Sequence, residues 1–467
     1  MKMEKERTEF QNERQRMMLE TPVPSLVFKM ALPTIVSMLV MSVYNMADTY
    51  FVSYLGTAAT GAVGINLSLM SFIQMAGTAL AMGANSFIAR LLGQKRFADA
   101  ESVLSVAFFT SVAIGLVTMV AGLLLLEPLV VFMGAKGEVI PYAIDYATYI
   151  LLAAPFMMGV FVLNQCLRAE GAATLSMIGV VSGSLLNIAL DPLFVTTFGL
   201  EVAGAAIATA ISKFISFVIL VAPYLRARTA LRLRLGSFRL SREITTELVK
   251  MGFPTLARTG LTTLANVVTN NVASVFSDSA LAAITVVNKI MTFVSSAVLG
   301  FGQGYQPVAG FNWGANRFDR VQRSFWFSAI SSVASVSLLG VAAAIFAPQL
   351  MMIFTDYDQE MISIGALAIR TQCLAMPSVA WVIIVNMTYA GLGKAAGAAA
   401  LSGGLFHTDG AAAAAPVRRI RPCVGAGRGG SAHAADERAA ERDHSARNRP
   451  QAPDADGRSA LAAADDT

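Results

Sequence analysis

Two stretches of this chain carry the same punctuation 221 residues apart. Pro33 in Ala-Leu-Pro-Thr matches Pro254 in Gly-Phe-Pro-Thr, and Gly93-Gln-Lys-Arg96-Phe97 matches Gly314-Ala-Asn-Arg317-Phe318. A third pair, Ala169-Glu170-Gly171 with Gly391-Leu392-Gly393, falls at an offset of 222, so one residue of slippage covers about 140 residues. Chance gives one such match between two apolar stretches, not three in register. The chain is therefore an internal duplication, and each copy must fold into one structural unit.

What each unit is made of follows from hydropathy. Of the 467 residues 55% are hydrophobic and 14% charged, where a soluble protein carries about 25% charged. Apolar segments long enough to cross about 30 Å of hydrocarbon run near 27–54, 65–90, 102–126, 142–167, 172–198 and 201–225, then 247–275, 281–311, 323–347 and 361–390. Loop charge tests this count of ten, because short cytoplasmic loops are rich in Lys and Arg. Lys95 and Arg96, then Arg168, then Arg226, Arg228, Arg232, Arg234, Arg239 and Arg242, then Arg317, Arg320 and Arg323 follow the even-numbered segments. Glu127 and Glu138 with one lysine, Lys136, then Glu201, Asp278, and Asp356, Asp358 and Glu360 follow the odd-numbered ones. The expectation is an all-α polytopic membrane protein with a cytoplasmic N-terminus. Six crossings return the chain to its starting side, so the two bundles are parallel repeats, a transporter plan.

The segments divide the chain into a cytoplasmic N-terminal stretch (1–25), a first lobe of six spans (26–225), a basic cytoplasmic linker (226–246), a second lobe of four spans (247–400) and a polar tail (401–467). The repeat requires apolar counterparts of residues 172–225 near 394–447, and they are absent. From 407 onward the only Val, Ile, Leu, Met or Phe residues are Val417, Ile420, Val424 and Leu461. One account is a natural disordered tail of low hydrophobicity. The other is a reading-frame shift near 399–405: the GCN codons of Ala411 to Ala415, read one base later, become CNG, and CTG encodes leucine.

Several function classes drop out. A net charge of +5 is too weak and dispersed for nucleic acid as a partner. Cys166, Cys373 and Cys423 are odd in number and far apart, which gives neither a disulfide framework nor metal-ligand spacing. Residues 1–406 hold no histidine, which argues against a membrane-embedded acid–base or metal enzyme.

Ionisable side chains inside a bilayer are costly and mark function. Asp48 lies in Asn-Met-Ala-Asp-Thr, and Asn187 and Asp191 lie one helical turn apart in Asn-Ile-Ala-Leu-Asp-Pro. Counted at 1.5 Å per residue from the outer helix ends, Asp48 is roughly 9 Å deep, Asp191 roughly 11 Å, Thr209 roughly 13 Å and Asn187 roughly 17 Å. This one layer suits a hard-oxygen site for Na⁺, or a carboxylate pair that binds H⁺. The bland alternative is carboxylates near helix ends reaching water. Lys213, one turn from Thr209, pairs with Asp48 or Asp191 or simply hydrogen-bonds carbonyls. Met38, Met41, Met157 and Met158 with Asn164 and Gln165 suit an adaptable chamber for varied apolar cations, or plain packing. Pro33 and Pro192 each remove a helical hydrogen bond and are candidate hinges. The second lobe has no acid within its spans.

The segments Asn-Met-Ala-Asp48-Thr, Ala-Ala-Pro155-Phe, Arg168-Ala-Glu-Gly171-Ala, Asn187-x-x-x-Asp191-Pro192 and Gly204-Ala-Ala-Ile-Ala-Thr209 resemble the multidrug and toxic compound extrusion (MATE) transporters, bacterial type, over residues 20 to 400. The resemblance implies a twelve-helix, two-lobe antiporter of the bacterial inner membrane that exports drugs or other small organic cations against Na⁺ or H⁺. It implies no organic cofactor, no metal beyond Na⁺, no enzyme activity and no need for an oligomer. In it Asp48, Asn187, Asp191 and Thr209 match the cation site and Asn164 the substrate chamber, to which Met41 and Lys213 are added here. A lipid-linked oligosaccharide flippase, with Lys213, Arg258, Lys289 and Arg370 in a cationic cavity, is the rival.

The frame-shift account has a direct check. Sequencing the encoding DNA across residues 399–447 is expected to reveal a one-base shift that restores two apolar spans; its absence in either alternative frame leaves the natural tail.

Overall fold

The computed structural model describes residues 2–53, 57–226, 228–274, 278–352 and 358–394; the tail lies outside them. Everything regular in it is helix. An amphiphilic helix α1 (Lys2–Glu20) leads into the first lobe: α2 (Val23–Ser53), α3 (Thr57–Gly93), α4 (Phe97–Leu124), the short α5 (Leu126–Phe132), α6 (Val139–Ala169), α7 (Ala173–Pro192) with a π-helical turn (Leu193–Thr197), and α8 (Glu201–Leu225). The second lobe holds α9 (Arg242–Ser274), α10 (Asp278–Gly314), α11 (Phe318–Ile345), the short α12 (Ala347–Met352) and α13 (Gln359–Gly391). Helices are the form in which apolar runs can satisfy their own backbone groups away from water.

Among the described residues, nine helices are long and apolar enough to cross a membrane. The tenth expected span is present as helix α9, whose first half carries Arg242, Glu243, Glu247, Lys250 and Arg258 and whose side chains beyond Gly260 lie outside the described residues. Three boundaries also shift. The N-terminal stretch carries helix α1 over Lys2–Glu20 and the start of α2 at Val23, and α9 begins inside the linker. Asp278, Asp319 and Glu360, expected in loops, open helices α10, α11 and α13. There a negative charge complements the helix dipole, and Asp358 caps α13 by accepting from Met361 N at 2.9 Å.

The duplication extends to the backbone. Lys95 and Asn316 both take the left-handed conformation, with φ of 62° and 58°. The bonds Arg96 N to Leu91 O and Arg317 N to Asn312 O are both 2.9 Å. At the offset of 222, Gly171 and Gly393 have φ of 78° and 77°, the glycine-favoured geometry that closes a helix C-terminus. Helices α5 and α12 correspond as well. The repeat therefore pairs α2 with α9, α3 with α10, α4 with α11 and α6 with α13.

The lobes meet at the end that carries the arginine-rich loops, here called the basic end. A Cβ on Gly93 of α3 would collide with the Phe311 carbonyl of α10, and a Cβ on Gly314 would collide with the Arg90 carbonyl of α3. Gly83 faces the Leu248 carbonyl of α9, where a Cβ would sit 2.6 Å away, and Gly300 faces Ile35 of α2, where it would sit 2.7 Å away. Arg90 bridges to Glu247 at 2.7 Å, and Ser86 Oγ donates to the Ala390 carbonyl. Pro33 lies inside an unbroken α2, between Ala31 and Ile35, which pack on Gly304 and Gly300.

Helix α1 is strapped across this end. Gln11 donates to Ala230 O at 2.7 Å and Arg14 to Gly171 O at 2.9 Å, both in the first half of the chain. From the second lobe, Arg320 donates to Met18 O at 3.2 Å and Thr21 O at 2.7 Å. Beneath the strap Glu170 is buried, accepting from Tyr224 Oη at 2.8 Å and Leu231 N at 3.2 Å. Burial outweighs these donors and the nearby Arg14 charge and pushes the Glu170 carboxyl up to about 8.

The folded chain therefore holds a proton on Glu170 that the unfolded chain releases above about 4.5. Between those two values the native state binds more protons, so stability is fully present at acid pH and is lost as pH rises through about 8. Thermal unfolding of purified protein is expected to show a midpoint falling from pH 5 to pH 9, with a shallower slope in Glu170→Gln. An unchanged slope in that variant would remove Glu170 as its source.

Candidate functional site

The layer of polar residues expected from helix depth is assembled by α2, α6, α7 and α8, all of the first lobe. Asn187 and Asp191 share a face of α7 because they are one turn apart, and Thr209 faces them from α8. Turned so that both its ends are satisfied, the Asn187 amide donates to Asp191 Oδ2 at 3.0 Å and accepts from Thr209 N and Oγ1 at 3.2 Å. Asn187, Asp191 and Thr209 are all at most 1% exposed. Asp48 of α2 is buried beside them, close enough to Asp191 for their charges to interact. Its Oδ1 has no hydrogen-bond partner. A buried carboxylate oxygen without a donor is costly.

Lys213 of α8 reaches the same group. Its Nζ lies 5.0 Å from the centre of the Tyr44 ring, a cation–π distance, and its charge is felt by Asp48. Tyr44, in hydrogen-bonding reach of Thr209, and Tyr146 of α6 close the cluster. Neither tyrosine was expected from the sequence. Tyr44 had a signal, since it precedes Asp48 by one turn as Asn187 precedes Asp191. Tyr146 had none, because only the crossing of α6 brings it here. Met41 lies half-buried on α2, three residues before Tyr44. Pro192 ends α7, and the wider π-helical turn follows directly, a form frequent at functional sites.

Asn164 is not part of this cluster. It stands 18 residues beyond Tyr146 along α6, about 27 Å at 1.5 Å per residue. There its Oδ1 accepts from Arg168 at 2.6 Å and from Ser176. Arg168, expected as a loop charge, is 1% exposed; it also donates to Ser176 Oγ at 3.1 Å and to Gln303 of the second lobe. Among the described residues no group of three or more His, Cys, Asp or Glu side chains is arranged to hold a metal ion.

Residues 33–193 and 254–405 each match the MatE family. The chain belongs to the MatE family. Both matches begin at the duplicated proline, Pro33 and Pro254, so the MatE unit is the repeat unit itself. The first match takes in Asp48, Asn187 and Asp191, and the second ends at 405. Among relatives, the multidrug export protein MepA of Staphylococcus aureus (strain MSSA476) is 26% identical over 299 residues, 64% of this chain and 66% of its own length. The chain thus spans about two thirds of that relative. MepA of Staphylococcus saprophyticus is 26% identical over 340 residues, 72% of this chain and 73% of its own. A MATE protein solved in complex with MaD3S superimposes with a TM-score of 0.80 at 24% identity, over 88% of this chain and 98% of that one. An outward-facing multidrug resistance MATE transporter superimposes with 0.78 at 24%, over 88% and 97%. The MatE fold is therefore that of this chain.

The polar cluster has a measurable energetic signature. Asn187→Leu strips Asp191 of its donor and is expected to cost about 1–3 kcal/mol. Asn187→Leu combined with Asp191→Leu, which removes both partners, is expected to recover most of that loss. Thermal unfolding of Asn187→Leu, Asp191→Leu and the double variant reads it, and additive losses would show that the two residues do not interact.

Proposed function

We propose that this chain is a cation-coupled efflux transporter of the bacterial cytoplasmic membrane, exchanging external Na⁺ or H⁺ for small organic cations. Its basic end and N-terminus face the cytoplasm, as the loop charges require. The observation that carries this reading is the pair of buried carboxylates Asp48 and Asp191 in one first-lobe cluster, with Asp48 Oδ1 unpartnered. The names of the relatives, multidrug export proteins, support the substrate class.

The donor set fits a small hard cation: carboxylate oxygens from Asp48 and Asp191, an amide oxygen from Asn187 and hydroxyls from Thr209 and Tyr44. A proton on Asp48 would serve the same end. In either case a positive charge is delivered to a buried pair of negative ones, and Lys213 is the resident competitor for it. The exchange draws on an ion gradient alone and calls for no organic cofactor. A single chain contains the whole cluster, so no second copy is needed for it.

Coupling requires two states with different affinities for the ion and for the substrate. The seam at the basic end supplies the element that must change. As described it is shut by α2 on α10 and α3 on α9, which in this orientation closes the cytoplasmic side. Cytoplasmic substrate enters only after these contacts part. Pro33 lies in the α2 stretch that makes one of them, and Pro192 and the π-helical turn adjoin Asp191. These two prolines are the natural hinges between the cation cluster and the seam.

Two of the four cations of the flippase reading are engaged elsewhere, which favours the efflux reading. Lys213 is committed to Tyr44 and Asp48 in the first lobe, and Arg370 donates to the Ala344 carbonyl at 3.2 Å in the second.

Dye efflux in everted vesicles, driven by a Na⁺ or a proton gradient, tests the function in the chain as written and in a frame-restored chain. Gradient-driven efflux is expected in the frame-restored chain, and Asp48→Asn is expected to abolish it. Unchanged efflux in Asp48→Asn would remove Asp48 from the mechanism.

A further inference from the structure

The linker between the lobes does not simply cross the basic end. After Leu231, buried near Glu170, it climbs to the outward face of α4, where a short 3-10 turn (Leu235–Ser237) and Phe238 lie against the helix. The Phe238 ring meets the Phe109 ring edge-on at 6.2 Å. Between this lip and the helix is a groove of about 470 Å³ lined by Phe109, Ala113, Val117, Thr118, Leu235 and Phe238, with Thr110 and Ile114 completing the wall.

The depth of the groove can be fixed from two neighbours. Phe109 stands eight residues past Glu101, the last charged residue of α4, which is about 12 Å at 1.5 Å per residue. Its neighbour Phe108 stacks on Phe217 at 6.0 Å, and Phe217 is likewise eight residues, about 12 Å, from the last residue of α8. The lip thus sits within the apolar layer near its basic boundary. From there the groove runs nine residues along α4 toward the opposite end, about 13 Å. It is an apolar slot parallel to the helix, and Leu235 and Val117 stay 71% and 67% exposed within it.

Charge marks this slot as more than a bare lipid-facing helix surface. Residues 226–242 hold six arginines and no acidic residue. Arg234 immediately precedes the lip and Arg239 immediately follows it, and both are exposed. Neither forms an ion pair among the described residues. Two guanidinium groups flanking an apolar slot, on stems long enough to reach the headgroup layer, match a molecule with one anionic head and a long apolar tail.

We propose that the lip and α4 form a binding site for an anionic phospholipid of the leaflet at the basic end, its phosphate between Arg234 and Arg239 and one acyl chain along Phe109, Ala113 and Val117. Arginine pairs with phosphate bidentately, and basic pockets beside spanning helices are a recurrent means of holding anionic headgroups. The site requires only that the chain spans a bilayer and is independent of what it transports.

The test is native mass spectrometry of the purified full chain after equilibration with equimolar phosphatidylglycerol and phosphatidylcholine. The wild-type chain is expected to retain phosphatidylglycerol preferentially. Arg234→Gln with Arg239→Gln is expected to lower that preference about tenfold. Arg226→Gln with Arg228→Gln removes the same charge from the same linker outside the lip and is expected to change it less than about twofold. Ala113→Phe, which fills the slot and leaves every arginine in place, is expected to reduce retained phosphatidylglycerol. Equal retention of the two lipids by the wild type overturns the proposal, because it leaves only a nonspecific lipid coat. Equal losses in the two double variants overturn it as well, because they assign the preference to diffuse charge.

Discussion

Where α3 and α10 meet, two glycines make room for two carbonyls. Gly93 takes the Phe311 carbonyl and Gly314 the Arg90 carbonyl, and residues 93 and 314, like 90 and 311, are one repeat apart. The contact is therefore its own image under the pseudo-symmetry of the duplication. A two-fold arrangement of parallel repeats forces the same helix to meet its counterpart at the axis, and backbone-to-backbone approach there leaves no volume for a side chain. The flanking contacts obey the same rule, α3 on α9 through Gly83 and α2 on α10 through Gly304 and Gly300. Between lobes so related there are few intermediate positions: either the backbones touch or the seam is open. A packed interface of that kind behaves as a two-state element, which is what a small change elsewhere must act upon.

The scaffold is symmetric and the chemistry is not. The offset of 221 puts Thr269 where Asp48 stands and Ala265 where Tyr44 stands, while Asn187, Asp191, Thr209 and Lys213 belong to the part of the first repeat that has no described counterpart. The result is one lobe with a buried, charged, incompletely satisfied cluster and another whose described acids cap or open helices or, as Glu247 does, pair with an arginine at the seam. Neutralising Asp48 therefore changes the energetics of one lobe only. In the proposed transport cycle, symmetry in the seam with asymmetry in the site is what would let a local event in α2 and α7 bias a motion of the whole.

Much of this was legible in the sequence, and for identifiable reasons. Hydropathy and the repeated Pro, Gly and Arg fix the helices, because a bilayer leaves the backbone few alternatives. Depth along a helix fixes the layer of Asp48, Asn187, Asp191 and Thr209, because rise per residue is constant. Rotation and crossing are not written so plainly. Tyr146 joins the cluster through the path of α6, which carries Asn164, expected in the substrate chamber, at its opposite end. Helix α1 reads as alternating charge, yet Gln11, Arg14 and Met18 point into the protein. Their burial depends on surfaces that exist only after both lobes have folded.

The arginines of the basic end show how a statistical rule resolves into separate physical roles. Read as loop charge, Arg168, Arg320 and the arginines of 226–242 all argue for the same sidedness, and Arg90 ends a span beside them. In the structure Arg90 is spent on Glu247 across the seam, Arg320 holds the strap α1 against the second lobe, and Arg168 is buried among Asn164, Ser176 and Gln303. Each of these three ties together parts of the chain that are far apart in sequence, and two of them join the lobes directly. Most of those in 226–242, like Arg317 and Arg323, are exposed and form no ion pair among the described residues. The largest block of this unneutralised charge is in the linker, six arginines and no acid over 226–242. Charge used for orientation must stay unneutralised to be effective, and the same unneutralised charge, set beside an apolar slot, is what recognises an anionic lipid.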